Sequence, residues 1–326
     1  MFIRLEYNQY MKPLLSILMP AYNHEKYISQ AIESALAQKT SFNYEIIIND
    51  DCSTDKTYFI AQEYAKKYPD KIILIRSPEN QGLMKSYKNL LNKAQGKYIS
   101  FLETDDYFID ELKSQKSIDF LEHNPDYGIV GGAYLKVDAN NNILGNNDSD
   151  FDVDPDWYPK LLCRNRLAGV LTICFVKEYF DKICNIDEFI SLGFKTFDYP
   201  TWLLLTANYK GKYFHYDGKF FGAYRILSSS ISNTTNYNKR KNFEDNITTI
   251  QEYIINKCGF RNTDKFEYEE CQNKRYLLLA LHFRKLKDYL YYAHKIKSHE
   301  TKYKIMHYFP LLWYLQHIVR IKKEFL

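Results

Sequence analysis

Four short apolar runs dominate the first third of the chain: Leu14 to Met19, Tyr44 to Ile48, Ile72 to Ile75 and Tyr98 to Leu102. Each mixes aliphatic and aromatic residues and is too short for a helix, the pattern of a strand buried on both faces. Between them, apolar residues recur at helical spacing: Ile28, Ala31, Ile32, Ala35 and Leu36, then Ile60, Tyr64, Ala65 and Tyr68, then Leu83, Tyr87, Leu90, Leu91 and Ala94. Strands alternating with helices build right-handed crossovers and a parallel sheet. The expected fold class is therefore α/β. Ser53 and Thr54 read as caps of the second helix.

A parallel sheet opens the loops that follow its strands along one edge, where α/β proteins bind ligands. Those loops are polar here: Tyr22 and Asn23, Asp50 and Asp51, Asn80, and finally Glu103, Asp105 and Asp106. Carboxylates this close in sequence repel one another unless a cation or a hydrogen-bonding ligand lies among them. The plainer reading is a solvated acidic turn that caps the helix after Asp110. Convergence of four polar loops on one edge favours the site. No G-x-G-x-x-G and no G-x-x-x-x-G-K-[ST] follows a strand, so a bound diphosphate lacks its usual glycine cradle. A divalent cation held by carboxylates is the alternative.

At 326 residues the chain has room for one large domain and a smaller piece, or for two modest domains. A net charge of +4 is too mild to indicate nucleic acid as a partner. Its 6 cysteines form no C-x-x-C, as expected of scattered thiols in a reducing compartment. The N-terminus lacks a signal-peptide core, and no apolar run reaches the roughly 18 residues of a membrane span. The expected location is the cytoplasm.

Several motifs, in order, resemble those of family 2 glycosyltransferases: Ser16 to Asn23, Glu45 to Thr57 around Asp50-Asp51-Cys52-Ser53-Thr54-Asp55, Asn80-Gln81-Gly82, and Glu103-Thr104-Asp105-Asp106. The likeness continues through Asp187-Glu188, Phe197-Asp198-Tyr199 with Trp202, and Tyr224-Arg225-Ile226 to Ser232. It implies a GT-A fold: a mostly parallel central sheet flanked by helices, with a C-terminal helical extension. It also implies transfer of a sugar, with inversion, from a nucleotide-sugar donor, usually a UDP-sugar. The implied acceptor is a hydroxyl of a glycan or lipid-linked glycan in bacterial surface-polysaccharide synthesis.

The resemblance assigns residues. Tyr22 matches the ring against uracil, Asp51 the carboxylate on its imide, Asp105 the ribose contact and Asp106 the ligand of Mn2+ or Mg2+. Asp198 matches the general base. The donor-binding set implied is Pro20, Tyr22, Asn23, Asp50, Asp51, Arg76, Asn80, Gly82, Glu103, Asp105 and Arg225, with Arg225 compensating diphosphate charge. The chain departs from the family pattern at Cys52, where Gly is usual, at Phe197 for Glu, at Leu204 for Arg or another polar residue, and at Leu227 for His. Two other readings stand beside this one: a metal-dependent nucleotidyltransferase, which would want a basic Gly-rich loop where the chain has Pro20-Ala21-Tyr22-Asn23, and a non-catalytic nucleotide-sugar binder.

Further on, Gly128 to Val137 reads as one strand, and Asp148 to Asp156 as a solvated acidic loop without EF-hand spacing. Trp157 to Phe175 is expected on the acceptor side. The expected domains are a catalytic domain over 1–232 and a helical region over 233–326. In the latter, Phe243 to Ile254 and Tyr276 to Ala293 carry amphipathic spacing. The aromatic and basic stretch from Tyr303 to Leu326 has the character of a helix that can lie on an anionic membrane surface, on the inner face of the cytoplasmic membrane, and association with a partner is the alternative for this helical region.

Overall fold

The structure is a computed structural model that describes residues 12–148, 156–165, 167, 169–227, 235–261, 265–297, 310, 311 and 314. The chain divides into two compact units, one of Met1–Tyr158 with Arg166–Ser228 and the other of Pro159–Asn165 with Ser229–Leu326. The expected boundary between 232 and 233 lies outside the described residues, as does most of the acidic loop before Asp156.

The first unit is organised around β1 (Leu15–Ala21), every residue of which is buried. It pairs in parallel with β2 (Tyr44–Asp50) on one side and β4 (Tyr98–Phe101) on the other. β3 (Ile72–Arg76) extends the sheet in parallel beyond β2. Both faces of β1 are covered because Ile17 and Met19 face one layer and Ser16 and Leu18 the other, in strict alternation. Ser16 is accommodated by donating to Glu45 Oε1 at 2.6 Å and accepting the Gly96 N–H at 2.9 Å. The covering helices are α1 (Ile28–Leu36), α2 (Thr57–Lys67) and α3 (Leu83–Lys93). α1 buries Ile28, Ala31, Ile32 and Ala35, a single stripe that matches the expected spacing.

Farther along, the sheet becomes mixed. After β5 (Tyr107–Phe108) and α4 (Lys113–His123), β6 (Tyr127–Gly132) joins the large sheet and β7 (Tyr134–Val137) a smaller one. The single strand expected over Gly128 to Val137 is thus two. Ala133 is the break: its N–H bonds to Phe214 O and its C=O accepts from the Phe221 N–H, both at the sheet junction. With β8 (Ile143–Asn147), β9 (Cys174–Val176), β10 (Lys210–Phe214) and β11 (Gly222–Arg225), the large sheet runs β10-β6-β9-β4-β1-β2-β3 and the small one β5-β11-β7-β8. β9 is antiparallel to both β4 and β6, so the sheet is mostly but not wholly parallel. The remaining helices of this unit are α5 (Lys177–Ile183), α6 (Ile186–Ser191) and α7 (Asp198–Asn208).

The second unit holds α8 (Tyr237–Cys258), α9 (Lys265–His282) and α10 (Leu286–Lys295). The amphipathic run from Tyr276 to Ala293 is broken at Phe283 to Lys285, where Arg284 turns left-handed at φ +55°. The break lets Leu277, Ala280 and Leu281 fold against Tyr289, Ala293 and Ile296. Of the proposed membrane-surface stretch, only residues 310, 311 and 314 are described. Among the described residues, no helix is long and apolar enough to cross a membrane.

Candidate donor and cation site

Three strand-end loops are stitched together by hydrogen bonds from main-chain N–H groups to side-chain oxygens. After β1, Asn23 takes a left-handed conformation at φ +54°, which a short amide side chain tolerates. Its N–H donates to Ser53 Oγ at 3.0 Å, and its Oδ1 accepts the Thr54 N–H at 2.9 Å. Ser53 and Thr54 are therefore engaged with the β1 loop and do not cap α2. That helix begins later, and Asp55 Oδ1 receives the Thr57 N–H at 2.9 Å. Tyr22, beside Asn23, leaves its ring exposed at the rim.

The two aspartates ending β2 have different surroundings. Asp50 is fully buried; its Oδ2 accepts the Ser53 N–H at 3.2 Å and faces Arg76 Nε at 3.5 Å. The Arg76 guanidinium lies 4.0 Å above the Tyr58 ring. Asp50 Oδ1 is buried with no hydrogen-bond partner among the described residues. Asp51 instead accepts the Gln81 N–H at 3.0 Å and the Gly82 N–H at 2.8 Å, one on each oxygen. Asn80 Oδ1 shares the Gly82 N–H at 3.2 Å. Gly82 presents that N–H at φ +84°, a conformation that side chains disfavour. Cys52 sits at φ +60°, where the glycine usual at this place would be unstrained.

The turn after β4 brings the carboxylates of Glu103, Asp105 and Asp106 together, with one oxygen from each within 4.8 Å of the others. The turn is closed by the Asp106 N–H on Glu103 O at 3.0 Å. It is tied to β1 by Thr104, which donates to Pro20 O at 3.1 Å and meets His24 Nδ1 at 2.8 Å. Asp106 is 2% exposed and accepts the Arg225 N–H at 2.7 Å. Glu103 accepts the Tyr87 hydroxyl at 2.9 Å. The burial of Asp106 counts against a fully solvated capping turn, and the Leu112 N–H ahead of α4 is taken by Asp110 at 3.0 Å.

Burial, followed by the charge of Asp105, pushes the Glu103 carboxyl up to about 7; the Tyr87 hydrogen bond pulls the other way and Asp198 adds to the rise. Asp106 is pushed well above the carboxylate range by burial, then by Asp105 and Glu103, against the opposing N–H and charge of Arg225. Carboxylates held this close repel one another, and a positive charge among them would relieve that repulsion. Hard oxygen donors suit Mn2+ or Mg2+ and not a soft, thiolate-seeking metal, so the residues present fit the expected cation.

Asp198 opens α7, half-buried, and its negative charge raises both Glu103 and Tyr87. The structure thus brings it into the electrostatic range of the cluster. Arg225 is placed differently from a guanidinium facing a diphosphate. Its Nε donates to Asp105 O at 2.7 Å, one terminal nitrogen to Asp138 O at 3.0 Å and Ala139 O at 3.4 Å, and the other to Gln30 Oε1 at 3.0 Å. The side chain is a brace behind the turn, packed over the Tyr27 ring at 4.6 Å. Tyr87 and His24 were not singled out by sequence. Tyr87 carries only the signal of a core position at helical spacing, and the nearest signal for His24 is its place in the loop after β1.

Comparison with known proteins bears on the family and the fold. The family model described as Glycosyl transferase family 2 matches residues 16–147. The candidate teichuronic acid biosynthesis glycosyltransferase TuaG of Bacillus subtilis is 30% identical over 224 residues, 68% of this chain and 82% of that protein. An uncharacterized protein of Mycobacterium tuberculosis is 40% identical over 112 residues, 34% of this chain. The chain spans about a third of the length of the mycobacterial relatives it matches, the aligned part being 32% of each. Among solved structures, S. aureus TarS residues 1–349 with UDP-GlcNAc superposes with a TM-score of 0.56 at 15% identity, covering 86% of this chain and 80% of that one. The mannosyltransferase PcManGT from Pyrobaculum calidifontis, in complex with GDP-Man and Mn2+, gives 0.53 at 13% identity, covering 97% and 91%. The chain belongs to glycosyl transferase family 2 and has the GT-A fold.

Proposed function

We propose that this chain transfers a sugar, with inversion, from a nucleotide-sugar donor to an acceptor hydroxyl during the synthesis of a bacterial surface glycan. The observation that carries the reading is the cluster of half-buried Glu103 and Asp105 with buried Asp106, and Asp198 in its field. Asp51, held by the Gln81 and Gly82 N–H groups, accepts the imide N–H of a uracil base. Tyr22 supplies a ring against that base, and Asp105 meets the ribose. Asp106 holds Mn2+ or Mg2+, with Glu103 beside it; when bound, the cation neutralises the diphosphate leaving group. Asp198 takes the proton from the acceptor hydroxyl as that oxygen attacks the anomeric carbon from the face opposite the diphosphate. A UDP-sugar is the donor favoured by Asp51 and by the UDP-GlcNAc complex of TarS. The name of TuaG supports a surface polymer as the destination.

The test is nucleoside diphosphate release from a panel of UDP-sugars and GDP-mannose, with and without Mn2+, in the presence of surface-glycan acceptors. Release that depends on Mn2+ and is lost in Asp106→Ala supports the reading. Equal release from Asp106→Ala would show that the cation lies elsewhere, and no release with any donor would remove the enzymatic reading.

A further inference from the structure

Tyr87 lies in the middle of α3 with only 2% of its surface exposed, yet it ends in a hydroxyl. A buried phenol needs a hydrogen-bond partner. Its partner is Glu103 Oε1 at 2.9 Å, a member of the carboxylate cluster. The ring has little freedom to swing. It stacks on Phe197 at 4.6 Å with planes 27° apart and meets Phe101 edge-on at 5.0 Å. Phe101 is the last residue of β4, and Phe197 immediately precedes Asp198. The hydroxyl is thus clamped by rings from the two elements that lead into the carboxylates.

The helix carrying Tyr87 is itself anchored at the donor end. Its N-terminal Gly82, with Gln81, holds Asp51, and Ser86 Oγ accepts from the Asn49 side chain at 2.8 Å. One residue past Tyr87, Lys88 pairs with Asp187 of α6. A core aromatic alone would be served by Phe in this stack. The hydroxyl has a separate task, because mutual repulsion among Glu103, Asp105 and Asp106 turns an unrestrained glutamate away from its neighbours. Glutamate has more rotatable bonds than aspartate, so it is the member that most needs an external hold.

We propose that Tyr87 is a positioning residue whose clamped hydroxyl fixes the Glu103 carboxylate in the cation cluster before the cation arrives. The proposal rests on the reading of that cluster as the cation site. Hydrogen bonds that orient the groups around a metal commonly change its affinity by about 10–100-fold when removed.

The test is Mn2+ titration in the presence of UDP at fixed pH, following free Mn2+ by electron paramagnetic resonance, on the full chain and two variants. Tyr87→Phe keeps the ring and deletes the hydroxyl. It should bind Mn2+ about tenfold more weakly. In turnover, the apparent KM for Mn2+ should rise while kcat at saturating Mn2+ is kept. A role confined to packing moves the unfolding midpoint and leaves the Mn2+ affinity of the folded protein alone. Asp106→Ala separates the two levels of inference. If it loses Mn2+ while Tyr87→Phe binds like the parent, the positioning role is overturned and the cation site stands. If Asp106→Ala binds Mn2+ undiminished, both fall.

Discussion

The main-chain N–H of Arg225 donates to Asp106 Oδ1 at 2.7 Å, joining residues 119 positions apart. The same residue's guanidinium returns to the turn and donates to Asp105 O at 2.7 Å. β11 therefore grips the carboxylate turn twice, once through backbone and once through side chain. The wall behind the carboxylate cluster is built from chain that arrives long after the cluster itself.

Arg225→Lys should expose what that grip contributes. Lysine lacks the planar fork that reaches Asp105 O, Asp138 O and Gln30 together, so buried acceptors lose their donors. A loss of about 1–3 kcal/mol in urea unfolding is expected, the cost of leaving buried acceptors without donors. Parental stability would remove the brace assignment.

Cys52→Gly should stabilise the protein. At φ +60° the cysteine occupies a conformation that costs a side chain about 1–2 kcal/mol. Glycine relieves that but returns about 0.5–1 kcal/mol through the freedom of the unfolded chain. The net expectation is a gain of up to about 1.5 kcal/mol, and Cys52→Val should lose stability. Chemical denaturation of the three proteins decides the sign.

The Glu103 carboxyl, raised to about 7, makes stability depend on pH and, in the proposed mechanism, cation binding too. The folded state holds this proton more tightly than the unfolded state, whose carboxyl has the ordinary value of 4.5. The contribution to stability is therefore fully present below 4.5, falls as pH rises, and is gone above about 7. A bound cation displaces the same proton, so Mn2+ affinity should climb over that interval and level off above it. Melting temperature against pH should fall without Mn2+ and UDP and flatten with them. Glu103→Gln should remove much of the slope. A metal-free profile that rises through this range would contradict the assignment.

Asp198→Asn tests the acceptor side. Removing a general base typically lowers the rate by about 10²–10⁴-fold. In the proposed mechanism the donor contacts are made by other residues, so UDP affinity by calorimetry should stay within about twofold of the parent, well under the tenfold that 1.4 kcal/mol represents. Transfer at the parental rate would place the base elsewhere.

The central sheet and its ligand edge were legible because β1, β2, β3 and β4 are local apolar runs whose ends are marked by Asn23, Asp50, Asn80 and Glu103. Burial on both faces writes itself into consecutive residues. Side-chain partnerships do not. Ser53 and Thr54 have the chemistry of helix caps, but Asn23, brought alongside by β1–β2 pairing, competes for them. Arg225 has the charge expected of a phosphate contact, but its position in the small sheet turns the guanidinium toward carbonyl groups.

Sequence alone determined the alternation of strands and helices, the polar strand ends and the carboxylate triplet, since these follow from periodicity and residue type over a few positions. Tertiary structure decided that the chain switches sheets at Ala133, whose partners Phe214 and Phe221 are distant in sequence. It decided that Tyr87, one more apolar position on a helix, delivers a hydroxyl to Glu103, and that Asp198 stands within range of the same carboxylate. Those relationships depend on which surfaces meet when the core closes, and hydrophobic burial selects a face of each element without naming the atom opposite it.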